Sequence, residues 1–225
     1  MIKYKHSTRI ELADRILDDV ILAARNSASG KAKRAAEVFA KWDRSADAES
    51  RGAVLFQAFR SELNRRMGGA KMFATPWSES DPRNTPKGIA DASTAVAALE
   101  KAVDQVESAY GSIDVAWGAV NRLRIGGVDL PANGGGGELG IFRVVSFAPE
   151  KDNKFRADFG DTYVAAIEFS NPVHAMALVS YGNSSQPGSK HQADQAPLFS
   201  RKELRPVWRT RAEIMKHLEE RKDFK

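Results

Sequence analysis

The residues YGNSSQPGSKHQADQ, Tyr181 to Gln195, follow an apolar run and are dense in turn formers, with Gly182, Asn183, Pro187 and Gly188 close together. Lys190, His191, Asp194 and Gln195 then supply four side chains that carry charge or hydrogen-bond. Such a composition reads as a polar loop leaving a buried strand. The run ahead of it, AMALVSY, is nearly all apolar, as a strand covered on both faces would be. His191 and Asp194 invite comparison with an oriented base. At that spacing in a loop, a structural hydrogen-bond cluster is the preferred reading.

Working outward from this loop, Phe199 to Arg205 leads toward a final helix from about Thr210 to Lys222, where Thr210 with Glu213 makes a capping box. Upstream, Thr162 to Phe169 alternates Tyr163, Ala165, Ile167 and Phe169 with smaller or polar neighbours and reads as a second strand, before His174 to Tyr181. Ile141 to Phe147 reads as another. Three strands make a thin sheet, which normally needs more strands or a helix layer. Their number is the first hint that the fold continues elsewhere.

Four consecutive glycines, Gly134 to Gly137, precede these strands. They do not favour regular structure, because glycine loses the most backbone entropy on ordering. A phosphate loop needs Gly-Lys-Ser/Thr and a helix next, whereas Glu138, Leu139 and Gly140 lead toward a strand. A tight approach to a neighbouring chain or pocket wall is expected instead. Trp117, Val120 and Leu123 suggest a short amphipathic turn of helix just before.

Residues 1–110 read as mainly helical and 111–225 as strand-rich with a C-terminal helix, an α+β chain. Thr8 and Glu11 fit a capping box, and Ile10, Ala13, Ile16, Leu17, Val20, Ile21 and Ala24 follow at helical spacing. A second helix, Lys31 to Trp42, carries Ala32, Ala35, Ala36, Phe39 and Trp42, and a third carries Val54, Leu55, Ala58, Phe59 and Leu63. A fourth spans roughly Ile89 to Tyr110. Met67 to Pro86 between them is rich in Gly, Pro, Ser and Asp and reads as a long irregular connection, pinned to the body by Phe73 and Trp77.

The chain has 225 residues, 42% apolar content, no cysteine and a formal charge of +5. That length can bury a real core, and the missing cysteines exclude disulfides, thiolate metal sites and a cysteine nucleophile. No run approaches the roughly 20 apolar residues of a membrane span, and MIKYKHSTRIELADR has no signal-peptide core. Basic and acidic residues interleave, as in RIELADRILDD, unlike the clustered Lys and Arg of a nucleic-acid footprint. Neither a nucleic-acid nor a membrane partner is therefore expected. His6, His174, His191 and His217 are too scattered for a metal motif such as H-E-x-x-H, and no G-x-S-x-G elbow is present. No metal or other cofactor is expected. An N-terminal nucleophile needs a free terminal Ser, Thr or Cys, but this chain opens on Met1, with Ser7 and Thr8 explained by capping.

Several ordered blocks resemble one family. KHSTRIELADRILDDV, WDRSADAESRGAVLF, WGAVNRLRIGGVDLPANGGGGELGIFRV, GDTYVAAIEF and SYGNSSQPGSKHQADQ look like consecutive parts of penicillin acylases, in the branch of aculeacin-type and acyl-homoserine-lactone acylases. The resemblance implies an N-terminal-nucleophile amidohydrolase with a four-layer α/β/β/α sandwich, cut from a precursor into a small α chain and a large β chain. In that family the serine opening the β chain attacks an acyl amide, and an asparagine further along stabilises the oxyanion. The asparagine block is not found here, so no residue inherits a catalytic role. Gln192 stands where relatives often have tyrosine.

The resemblance thus implies the C-terminal part of a β chain, inactive alone. Its partners would be the missing α chain and the N-terminal part of the β chain, with an acyl amide as substrate of the complete, periplasmic or secreted enzyme. Trp117, Asn133, Asn183, His191, Asp194 and Gln195 are the candidates for supporting the pocket. A non-catalytic module derived from the family is the alternative expectation.

Overall fold

The computed structural model describes residues 1–223. A short turn of helix, α1 (Ile2–Lys5), is followed by four longer helices: α2 (Glu11–Asn26), α3 (Gly30–Lys41), α4 (Ala53–Met67) and α5 (Ala92–Tyr110). Helical spacing puts Leu12, Ala13, Ile16, Leu17, Val20 and Ala24 of α2 on one buried stripe. Ala95, Ala98, Leu99, Ala102, Val103 and Val106 do the same in α5. The many alanines let helix backbones approach closely, and the aromatic rings fill what remains. Phe39, Trp42, Phe56 and Phe59 pack as one cluster, with Trp42 and Phe56 centroids 5.3 Å apart. Gly52, at φ +117°, closes against this cluster, where a Cβ would fall 2.6 Å from Trp42 Cγ.

Helix starts differ in chemistry. Ser29 accepts a bond from the Ala32 N–H to cap α3, and Asp91 accepts one from the Thr94 N–H to cap α5. The capping box expected at Thr8 and Glu11 does not form. Arg9 bridges Ser45 in extended conformation, so α2 starts only at Glu11, two residues too late for a box with Thr8. Thr8 instead donates to Asp47 Oδ1 at 2.7 Å, and Glu11 pairs with Arg15.

The connection after α4 holds a 3-10 turn and a hairpin, β1 (Phe73–Thr75) with β2 (Lys87–Ile89). Phe73 packs on the core as expected, but Trp77 is 60% exposed and pins nothing. Further along, α6 (Trp117–Val120) runs into β3 (Asn121–Ile125), which places Leu123 in a strand. β3 turns through Gly126 and Gly127, both at positive φ, into β4 (Val128–Pro131). Such a two-residue turn matches the strand twist.

β3 pairs in parallel with β6 (Phe155–Gly160), which pairs antiparallel with β5 (Val145–Pro149) across a bulge. The strand expected at Ile141 thus begins only at Val145. A second sheet consists of β7 (Tyr163–Glu168), β8 (His174–Val179) and β9 (Arg205–Pro206), all antiparallel. α7 (Ala196–Ser200) lies before β9, and α8 (Arg211–Lys216) stops six residues short of the Lys222 expected for the final helix. The capping box of Thr210 and Glu213 is formed at its start.

β8 buries residues of both faces, Ala177 and Leu178, and the exposed apolar face belongs to its neighbour β7. Val164 and Leu178 are buried, while the opposite face of β7 shows Tyr163 64% and Ile167 55% exposed, with Phe169 beyond it 90% exposed. The alternation in β7 was real, but its large apolar residues point outward. Trp117, Val120, Leu139 and Ile141 join the helical residues in one core cluster, and Leu123, Ala132, Val145, Ala157, Leu178 and Phe199 form a second.

Candidate functional site

The glycine run, Gly134 to Gly137, lies beside two of the expected site residues, Trp117 and Asn133. Asn133, 4% exposed, accepts from the Ala48 N–H at 2.6 Å and donates to the Ser200 carbonyl at 2.5 Å. One amide thus joins the loop after α3, the end of β4 and the end of α7. Gly134 follows at φ +93°, donating to the Ala46 carbonyl, and a Cβ there would fall 2.5 Å from the Arg143 carbonyl. The close approach expected of the glycines is therefore made to backbone of the same chain. Trp117 lies beside Gly135, fully buried and edge-on to Phe147 at 6.0 Å.

Arg143 is the residue that sequence reasoning missed. Its side chain is 1% exposed and stacks on the Phe199 ring at 4.1 Å, while a terminal nitrogen donates to the Phe199 carbonyl at 2.7 Å. Burial pushes its pKa down to about 10, against the pull of Asp161, Tyr181 and Asp47. Nearby, His6 is buried with neither ring nitrogen hydrogen-bonded to the described residues, and burial followed by Arg143 and Lys202 lowers its pKa. Lys5 pairs with Asp161 at 2.7 Å. The visible signal was a lone arginine inside the apolar GIFRVV run, which a charged side chain enters only with partners.

The loop that leaves β8 is held by Gln195, 3% exposed. Its Oε1 accepts from the Val179 N–H at 3.0 Å, its Nε2 donates to Asn183 Oδ1 at 3.0 Å, and its own N–H donates to the Tyr181 carbonyl. Gln195 and Asn183 therefore fasten the two ends of the loop. At Gly182, a Cβ would fall 2.1 Å from the His191 carbonyl. His191 itself lies at the surface, with Nδ1 2.8 Å from Asp194 and Nε2 3.0 Å from Glu219. Hydrogen bonds to Asp194 first, then Glu219, raise its pKa.

The six sequence-selected residues thus fall into three places. Trp117 and Asn133 flank the glycine turn, Asn183 and Gln195 close the loop, and His191 with Asp194 sits outside both. Beside Asn133 opens a cleft of about 690 Å³ lined by residues including Trp42, Asp43, Asp47, Ser50 and Lys202. Asp47 accepts from Thr8 and Lys202, and Asp43 accepts from Ser45 and Ser50. These carboxylates are committed to local partners. Among the described residues, no serine or threonine hydroxyl hydrogen-bonds a histidine or lysine side chain, and no cluster of metal-ligating side chains is present. The arrangement positions backbone segments; it does not assemble a nucleophile with a base. No helix among them is long and apolar enough to cross a membrane.

Comparison with known proteins identifies the source of this architecture. An acyl-homoserine lactone acylase of Pseudomonas fluorescens is 29% identical over 216 residues, covering 92% of this chain and 27% of its own length. The aculeacin-A acylase of Actinoplanes utahensis is 26% identical over 216 residues, with the same two coverages. The chain spans about a quarter of the length of the curated relatives it matches. Among solved structures, a thermostable penicillin G acylase from Alcaligenes faecalis aligns with 97% of this chain and 47% of its own, at 16% identity and a TM-score of 0.47. The model of the penicillin amidase family matches residues 1–216. With nearly the whole sequence matched, the chain belongs to the penicillin amidase family.

Proposed function

We propose that this chain is the C-terminal part of the β chain of an acylase that hydrolyses linear acyl amides. The complete enzyme, periplasmic or secreted, would act on N-acyl-homoserine lactones, acylated lipopeptides or β-lactam antibiotics. A serine at the start of the β chain, outside this chain, would attack the acyl carbonyl. Trp117, Asn133, Asn183, His191, Asp194 and Gln195 would serve as supports that hold strands and turns behind the pocket. The fold completed in this way would be the four-layer α/β/β/α sandwich.

The observation that carries this reading is the outward apolar face of β7. Tyr163 and Ile167, with Phe169 after them, stand exposed on an edge strand. A face of that kind next to an unpaired edge is a docking surface for more of a sheet. The partner would be the N-terminal part of the β chain, together with the α chain. The committed carboxylates of the cleft support a scaffold role as well.

The test is reconstitution. The purified chain should show no turnover of an N-acyl-homoserine lactone or penicillin G, and should bind an apolar-surface dye. Adding the upstream portion of a related acylase, with its serine intact, should suppress dye binding and yield amide hydrolysis. A monodisperse chain that ignores the upstream portion would instead identify a self-contained, non-catalytic module. Turnover by the chain alone would overturn the proposal.

A further inference from the structure

The C-terminal segment after β9 is attached to the body by few contacts. α8 buries none of its residues, and Ile214, Met215 and Leu218 remain 45–50% exposed. Two contacts fasten its far end. His217 stacks on Trp208 with centroids 3.7 Å apart and planes 7° from parallel, which folds the segment back on itself. Glu219 then reaches the loop of Tyr181 to Gln195, where it meets His191 Nε2 at 3.0 Å and Lys190.

His191 is held between two carboxylates, Asp194 on its own loop and Glu219 on the segment. A neutral imidazole carries one N–H, and only the protonated ring carries two. Both contacts are hydrogen bonds only when both nitrogens bear protons. On loss of one proton, a nitrogen lone pair faces a carboxylate oxygen, and one of the two contacts becomes repulsive. Asp194 lies three residues away, whereas Glu219 lies 28 residues away. Keeping the distant partner costs more chain entropy, so Glu219 is the contact released.

We propose that residues 207–219 form a strap latched onto the Tyr181–Gln195 loop by doubly protonated His191, closed at acidic pH and loosened at alkaline pH. Lys190, which also pairs with Glu219, is the only other titratable group in contact with the latch among the described residues. Its pairing with Glu219 limits the size of the effect without reversing it. His191 takes its partners' bonds most strongly as the cation, so its pKa lies above the ordinary histidine value. Latching is full below about pH 6.5 and fades as pH rises through that raised value. The proposal does not depend on the acylase reading, because it concerns the chain's own loop and tail.

Hydrogen exchange measured by mass spectrometry on the full chain, corrected for intrinsic rates, tests it. Amides of Trp208 to Leu218 should be about fivefold better protected at pH 5.5 than at pH 8.5, as expected for one exposed charged contact. In His191→Gln the two pH values should give equal protection, and in Glu219→Gln the protection at pH 5.5 should fall to the alkaline level. An NMR titration should place the His191 pKa higher in the parent than in Glu219→Gln. Protection that does not change with pH in the parent would overturn the latch. So would a pH dependence that survives in His191→Gln, which would assign it to His217 on Trp208.

Discussion

His6 is the residue whose chemistry and surroundings conflict most. It is 7% exposed, and burial, Arg143 and Lys202 all disfavour its charged form, with only Asp161 favouring it. Its folded pKa lies below the unfolded value near 6.5, so below that pH the unfolded chain takes up a proton the folded chain resists. Stability from this group is therefore full above pH 6.5 and falls as pH drops toward the lowered value. The melting temperature should fall between pH 7 and pH 5, and His6→Gln should flatten that slope; parallel curves for the two proteins would contradict this. Asn133 makes the second case. Asn133→Ala removes the partner of the partly buried Ala48 N–H and Ser200 carbonyl, and should cost about 1–3 kcal/mol in denaturant unfolding. A loss under about 0.5 kcal/mol would mean that water replaces the amide there.

At the scale of elements, the helices carry the strongest sequence signal because their burial repeats every 3.6 residues over many turns. Phe59 in α4 shows what the signal encodes: it is fully buried and touches the rings of Phe39 and Phe56. Phe59→Ala should cost about 3–5 kcal/mol in chemical unfolding, and much less would show that neighbouring rings collapse into the space. The start of α2 was misread because Thr8 and Glu11 have capping-box spacing in sequence, yet the bridge of Arg9 to Ser45 keeps the backbone extended there. Strands were less legible. β3, β4 and β6 are four to six residues long and mix charged with apolar residues, since Arg122, Arg124 and Arg156 lie on a partly open face paired with Asp129 and Glu150. Gly126-Gly127 between two short runs was nonetheless a readable hairpin signal. The candidate site was legible in its loop, where Asn183 and Gln195 close the ends, whereas at Arg143 the lone charge in an apolar run was visible and its partner was not. Burial of a charge depends on contacts from Phe199, 56 residues away, that no local pattern encodes.

For the molecule as a whole, the decisive feature is the difference between its two sheet environments. Val164 and Leu178 turn into a covered face, and Ala157 and Phe199 join Leu178 in the second core cluster. The other side of β7 holds Tyr163 and Ile167 in water. Residues already exposed contribute little to the folding of this chain, so replacing them should matter only to whatever covers them. The double variant Tyr163→Thr, Ile167→Thr keeps residues suited to a strand while removing apolar area. Its unfolding free energy should stay within about 0.5 kcal/mol of the parent. Apolar dye binding should fall, because the patch is smaller. Association with the upstream portion of a related acylase, followed by titration calorimetry, should weaken by at least about tenfold, as for loss of central apolar anchors from an interface. If the variant instead unfolds far more easily, the face is an internal part of the isolated fold. If association is unchanged, the covering layer docks elsewhere, and the role assigned to β7 is wrong.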